Sequence, residues 1–342
     1  MSNAAPIPTA ESILARAWTR RGPLACALWP VSLLFGSLAS IRRALYGAGL
    51  LDRTRLPVPV IVVGNIFVGG TGKTPFTIWL VERLREGGFS PGVISRGYGA
   101  SGEVPRSVTP DSSPGRDGDE PVLIAQRARC PIVVGRDRVS AARELLKLHP
   151  EVDVLVSDDG LQHYAMVRDV EIVLCDARGN GNGWLLPAGP LREPSSRKRD
   201  FTVFNADRAP AGLPADAFRM ELQYGRVFQL ADRATSRELG AFSGRIAAAA
   251  GIGNPSRFFA MLRKAGLSFQ EIPLPDHYDY AVDPFAAIDA DIILLTEKDA
   301  VKCERIDTLK NDPRLWVVPV TARIDGALPQ RILEKCRGRP TP

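Results

Sequence analysis

The stretch Val60-Ile-Val-Val-Gly-Asn-Ile-Phe-Val-Gly-Gly-Thr-Gly-Lys-Thr-Pro75 constrains this chain more than any other. A β-branched run feeds a cluster of glycines, and Lys73-Thr74 opens an amphipathic segment. The pattern predicts a buried strand, a tight loop and a helix start. Glycines let backbone amides close around phosphate oxygens, and a helix N-terminus adds partial positive charge. Gly69, Gly70, Thr71 and Gly72 are therefore assigned to nucleotide phosphates, with Lys73 on the β- and γ-phosphates and the Thr74 hydroxyl as a Mg²⁺ ligand. Pro75 fits the first helical turn, where no amide partner is lost. The strict P-loop pattern places glycine where this chain has Phe67, but the tail Gly-Gly-Thr-Gly-Lys-Thr is intact.

A nucleotide loop of this kind works with an acidic residue at a neighbouring strand end. Val152-Asp-Val-Leu-Val-Ser-Asp158-Asp159 supplies an apolar strand closed by two carboxylates, followed by Gly160-Leu161-Gln162-His163. Four other clusters are dense in polar residues and glycine or proline. Ser95-Arg96-Gly97-Tyr98-Gly99 follows a predicted strand, where α/β sites collect. Gly118-Asp119-Glu120-Pro121 opens a helix, so Asp119 is either a helix cap or a chemical group. Leu186-Pro-Ala-Gly-Pro-Leu-Arg192-Glu193-Pro194 is too proline-rich for a helix and carries a charged pair suited to metal or phosphate. Pro275-Asp-His277-Tyr-Asp-Tyr280 contains a histidine, which taken alone reads as structural more readily than as catalytic. Thr296-Glu-Lys-Asp-Ala-Val-Lys302 ends another apolar strand; its lysine is third rather than second, so it makes no case for guanine recognition.

From residue 58 onward short apolar strands alternate with helices, for example Val58–Val63, Lys73–Glu86, Gly92–Ser95 and Glu120–Arg129. Continuous apolar strands between helices predict an α/β fold, a parallel sheet covered on both faces. Phe218–Gln223 and Val227–Ala231 flank Tyr224-Gly225-Arg226 and read as a hairpin, after which a second, smaller α/β set begins. The expected division is an N-terminal membrane-associating segment at 1–55, a nucleotide-binding domain at 56–216, a hairpin linker at 217–232 and a C-terminal α/β domain at 233–342.

Residues 1–57 hold seven arginines against Glu11 and Asp52, which is +5 of the net +6. The rest is nearly neutral, which argues against a nucleic-acid surface and for a basic patch facing an anionic one. Gly22–Ile41 is twenty residues without a charge, bracketed by Arg20-Arg21 and Arg42-Arg43. Pro23, Pro30, Gly36 and three serines dilute its hydrophobicity, and paired arginines at both ends give no orientation bias. Spanning, core-packed and surface-lying helices all fit; arginines beside an anionic leaflet favour the last. The five cysteines are scattered without a C-x-x-C pair and the histidines number three, too few for a structural zinc site. Such cysteines suit a reducing cytoplasm.

Gly69–Pro75, Ser95–Gly99, Gly118–Pro121, Asp158–His163, Leu186–Glu193, Ala250–Gly253 with Arg257-Phe-Phe259, Asp276-His277 and Thr296–Lys302 occur in this order. Together they closely resemble the tetraacyldisaccharide 4′-kinase family of lipid A biosynthesis, over roughly residues 56–302. The resemblance implies a P-loop kinase at the cytoplasmic face of the Gram-negative inner membrane, peripheral or monotopic through its N-terminal segment. It would pass the ATP γ-phosphate to the 4′-hydroxyl of tetraacyldisaccharide 1-phosphate, giving lipid IVA, with no obligate protein partner. It implies ATP and Mg²⁺ on Lys73 and Thr74, a metal shell completed by Asp159 and Glu193, and Asp119 as base supported by His277. Ser95, Arg96, Tyr98, Asp158, Gln162, His163 and Arg192 are the candidate substrate contacts. A different class, a P-loop ATPase switch releasing a protein partner, shares the loop's tail; its signature lysine is replaced here by Val68.

Overall fold

The computed structural model describes residues 14, 16–97, 104–324 and 326–338. Helix α1 (Pro23–Gly47) is one continuous helix, with Pro23 in its first turn and Pro30 inside it. The first α/β unit then builds β1 (Val60–Asn65), α2 (Lys73–Glu86), β2 (Pro91–Ser95), β3 (Arg106–Ser107), α3 (Asp119–Ala128), β4 (Ile132–Val134), α4 (Arg138–Leu148), β5 (Val154–Asp158), β6 (Val170–Asp176), β7 (Phe201–Asn205) and β8 (Phe218–Tyr224). The second contributes β9 (Val227–Gln229), β10 (Ser236–Arg237), β11 (Ile246–Ala250), α5 (Pro255–Lys264), β12 (Gln270–Pro273), β13 (Ile292–Thr296), α6 (Glu297–Cys303) and β14 (Leu315–Val318). The chain ends in β15 (Val320–Ile324) and α7 (Leu328–Arg337).

The larger sheet has the order β15-β8-β7-β6-β1-β5-β2-β4-β3. It is parallel from β8 through β4, with an antiparallel strand at each edge. Every residue of β1 is buried, as the uninterrupted Val-Ile-Val-Val run requires of a central strand covered on both faces. Because β5 and β6 flank β1, the chain leaves β1 at a switch point of the sheet, where α/β proteins open a crevice beyond the strand ends. Phe76, Trp79, Leu80 and Leu84, at helical spacing along α2, bury against this sheet. The smaller sheet, β10-β9-β14-β13-β11-β12, has its own core around Phe259, Leu262, Leu294 and Trp316.

The expected hairpin is not formed. β8 pairs with β7 and β15 in the large sheet, whereas β9 pairs with β10 and β14 in the small one. Tyr224-Gly225-Arg226 is therefore a crossing between sheets. The apolar run Leu315–Val320 divides in the same way at Pro319, between β14 and β15, and the Gly225 amide bonds the Pro319 carbonyl at 2.9 Å. The two crossings lie side by side. Strand β15 and α7 return to the large sheet, with Ile332 and Cys336 in its core.

Helix α1 also departs from a core-packed reading. Of its residues only Ala25 and Ser32 are buried, while Leu33, Leu34, Leu38 and Ile41 are more than half exposed. One side is tied down: Ser32 Oγ donates to the Leu185 carbonyl at 2.7 Å, Trp29 packs on Trp184, and Gly36 has Leu185 where a Cβ would stand.

Candidate active site

The loop after β1 is shaped by its carbonyls as much as by its glycines. Asn65 Nδ2 donates to the carbonyls of Phe67 and Gly69, and Asn65 Oδ1 accepts from Lys73 Nζ at 3.1 Å. Gly72 takes φ +95°, a left-handed conformation that a side chain resists, and passes the chain into α2 at Lys73. The Thr71 hydroxyl is buried without a partner, and the amides of Gly69, Gly70, Thr71 and Gly72 donate to no protein acceptor among the described residues. A row of free amides at a helix start is an anion site.

Asp158 and Asp159 close β5 beside this loop. Asp158 is fully buried, accepting from Thr77 Oγ1 at 3.3 Å and Ser95 Oγ at 3.5 Å. Burial, with the Glu120 charge adding to it, pushes its carboxyl up to about 7. Asp159 behaves oppositely. Burial works against its charge, but Lys73 at 3.7 Å and Arg192 at 3.1 Å outweigh burial and hold it below the usual carboxylate range. It sits at φ +49°, an uncommon backbone state for aspartate that aims the carboxylate at Lys73.

Asp119 and His277, 158 positions apart and in different α/β units, meet: Nδ1 of His277 lies 3.0 Å from Asp119 Oδ2. Asp119 is the first residue of α3, preceded by Gly118 at the cap position, and its other oxygen accepts the Glu120 amide at 2.8 Å. Two lysines of α6 bracket the carboxylate, Lys302 at 3.6 Å and Lys298 at 3.9 Å. Burial would raise Asp119, yet His277, Lys298 and Lys302 hold it low, while the bond to Asp119 raises His277. The Thr296 hydroxyl caps α6 by accepting the Asp299 amide, which aims both lysines at Asp119. The Thr296–Lys302 segment thus serves the acid–histidine pair.

One cleft of about 2150 Å³ joins these groups. Gly69–Thr74, Ser95, Arg96, Asp158, Asp159, Gln162, His163, Arg192 and His277 all line it. On its wall, burial, followed by the charges of Arg138, Arg96 and Arg42, pushes His163 down to about 4. Three expected residues stand apart. Asp119 is buried and does not itself line the cleft, meeting it through His277. Tyr98 lies outside the described residues. Glu193 is buried behind the cleft with both oxygens taken, one by Gln162 Nε2 at 2.8 Å and the other by Tyr164 and Arg197. In this arrangement Glu193 orients Gln162 instead of facing the phosphate loop. Asn65, Arg178, Asn205, Lys298 and Lys302 are contacts the sequence did not single out. Only the two lysines carried a signal, as part of a polar cluster ending a strand.

A parallel sheet with a phosphate loop at its switch point, a strand-end acid pair and a cleft-lining histidine backed by a buried carboxylate define a P-loop phosphotransferase. Residues 24–337 match the family model for tetraacyldisaccharide-1-P 4′-kinase. The chain is 62% identical over 336 residues to the tetraacyldisaccharide 4′-kinase of Janthinobacterium sp. (strain Marseille), covering 96% of this chain and 97% of that one. It is 58% identical to the enzyme of the same name from Herminiimonas arsenicoxydans, again over 96% and 97%. Among solved structures, the "apo" form of LpxK from Aquifex aeolicus in complex with ATP superposes with a TM-score of 0.77 at 28% identity, covering 92% of this chain and 98% of that one. The chain belongs to the tetraacyldisaccharide 4′-kinase family.

Proposed function

We propose that this protein transfers the γ-phosphate of ATP to the 4′-hydroxyl of tetraacyldisaccharide 1-phosphate, forming lipid IVA. The observation that carries the mechanism is the Asp119–His277 pair, assembled from two α/β units over the cleft that holds the phosphate loop. A sugar hydroxyl is a poor nucleophile, and transfer to phosphorus needs a positioned group to take its proton. Asp119 is held ionised and is bonded to His277, which lines the cleft. Its Oδ2 is the accepting atom, and His277 and the two lysines keep it in place. Lys73, fixed by Asn65 and Asp159, neutralises charge on the transferred group.

Thr74 and Asp159 both line the cleft and offer a hydroxyl and a carboxylate oxygen. Such hard oxygen donors suit Mg²⁺, which normally takes few protein ligands and completes its shell with phosphate and water. When bound there, the ion would spread the negative charge of the phosphates. Arg192 and Gln162, held by Asp159 and Glu193 respectively, line the same cleft and are the groups we assign to the lipid headgroup.

We further propose that α1 lies on the inner membrane at its cytoplasmic face. The helix is long and apolar enough to cross a bilayer, but it is fastened along one side to residues 184–185 and, through Tyr46, against Tyr164. A helix held to the protein body presents its free face to lipid without threading through it. The acyl chains then stay in the bilayer, avoiding a cost of ~0.8 kcal/mol per CH₂. By sheet membership we propose two lobes, 56–224 with 320–338, and 227–318, hinged where Gly225 meets Pro319. The test of the reaction is incubation of detergent-solubilised protein with γ-labelled ATP, Mg²⁺ and tetraacyldisaccharide 1-phosphate. Label in the lipid supports the kinase; label only in free phosphate supports an ATPase switch.

A further inference from the structure

Phe67 stands where the strict phosphate-loop pattern has glycine, and the loop's free amides need some other device to fix their direction. In a trans peptide the C=O of one residue and the N–H of the next point in opposite directions. Whatever holds the carbonyls of residues 68 to 71 therefore aims the amides of residues 69 to 72. All four carbonyls are held by side chains. Asn65 takes Gly69 at 2.8 Å, and Asn205 takes Thr71 at 3.3 Å. Arg178 takes the other two, NH1 donating to Val68 at 3.5 Å and NH2 to Gly70 at 3.2 Å.

Arg178 is itself fixed from two directions. Its Nε and NH2 fork onto the Asp176 carboxylate at 3.0 and 2.7 Å, at the end of β6. Its guanidinium lies 4.3 Å from the centre of the Phe67 ring, in cation–π range. Phe67 is in turn buried and bridged to Leu191. Two loop glycines make room for this scaffold: a Cβ on Gly69 would stand 3.2 Å from Arg178 NH1, and one on Gly72 would stand 2.7 Å from Asn205 Nδ2.

We infer that Arg178, seated on Phe67 and anchored by Asp176, is a positioning residue for ATP: it orders the phosphate loop by holding the Val68 and Gly70 carbonyls. Phe67 supplies a platform that glycine could not. The inference rests on the reading of this loop as the ATP phosphate site.

The test uses the full-length protein and a fluorescent ATP analogue with Mg²⁺, alongside steady-state kinetics and thermal melting. Arg178→Lys keeps the positive charge facing Asp176 but loses the planar fork that serves two carbonyls and a carboxylate together. Its ATP dissociation constant and its KM for ATP should both rise about tenfold, the scale of one charge-assisted hydrogen bond. Its kcat at saturating ATP and its KM for lipid should stay within about threefold of wild type. Phe67→Leu, which keeps an apolar side chain and removes the π face, should raise the ATP constant about threefold. It provides the same readout if Arg178→Lys folds poorly. Wild-type ATP affinity in both variants, or a lowered melting point with ATP affinity unchanged, would overturn the role of Arg178. Failure of the wild-type protein itself to bind the analogue would instead overturn the phosphate-site reading.

Discussion

Replacing Asp119 by asparagine separates a catalytic base from a structural cap. Asparagine preserves shape, and its carbonyl oxygen can still accept the Glu120 amide that Asp119 Oδ1 accepts at 2.8 Å. What it removes is the negative charge facing His277 at 3.0 Å, Lys302 at 3.6 Å and Lys298 at 3.9 Å. Lys298 retains Glu120 at 3.2 Å and Asp276 at 3.6 Å, and Lys302 retains Asp299 at 3.4 Å. No lysine is stranded, so the stability loss should be about 1–2 kcal/mol, a melting shift of roughly 1–3 °C for a chain of this length. A cap alone would lose no more than that and leave turnover intact. A base accounts for about 10²–10⁴ in rate. Asp119→Asn should therefore lower kcat and kcat/KM together by at least about 10²-fold, with ATP affinity near wild type. The assay is initial-rate label transfer to lipid at saturating ATP, paired with a melting curve. His277→Ala should lose less, and the double variant little more than Asp119→Asn, because residues acting as a unit are not additive. Near-wild-type turnover by Asp119→Asn would refute the reasoning.

Lys73→Ala and Thr74→Ala should each reduce lipid phosphorylation about 10²-fold or more, measured with contaminating kinase excluded, since both groups stabilise charge on the transferring phosphoryl. Leu34→Glu with Leu38→Glu, at positions 61% and 60% exposed on α1, should release the protein from anionic vesicles in a flotation assay while ATP binding persists. Asp158 gives a pH test with a definite sign. Its carboxyl is raised to about 7, so the folded state holds more protons than the unfolded one between about pH 4 and 7, and stability falls across that window. Asp158→Asn, which mimics the protonated form, should therefore melt higher than wild type at pH 8 and nearly alike at about pH 3.5. Equal melting at both values would mean the buried charge carries no penalty.

The strand–glycine–lysine pattern and the alternation of apolar strands with helices made the large parallel sheet legible, because both follow from local periodicity and backbone freedom. The meeting of Asp119 with His277 was not a local matter. Each residue reads as a cap or a core group alone, and only the resemblance paired them across 158 positions. The hairpin around Gly225 misread a crossing: residues 225 and 226 form no turn, and partner choice was decided by β15, which returns some hundred residues later to pair with β8. Glu193 illustrates the same limit. Its neighbour Arg192 reaches Asp159, while Glu193 turns the other way to Arg197, Tyr164 and Gln162. The carbonyl contacts of Arg178 left no trace in the sequence, since they join a loop to a turn 108 and 110 positions away.

The central claim is that this cleft delivers a phosphoryl group to one hydroxyl of a lipid-anchored sugar. The most direct measurement is phosphorus and proton NMR of the lipid recovered after reaction with ATP and Mg²⁺, supported by its mass. The account predicts a gain of one phosphate, a second phosphomonoester resonance, and through-bond coupling from that phosphorus to the proton at the 4′ carbon. Unchanged lipid accompanied by inorganic phosphate, or phosphate coupled to any other ring position, would contradict it.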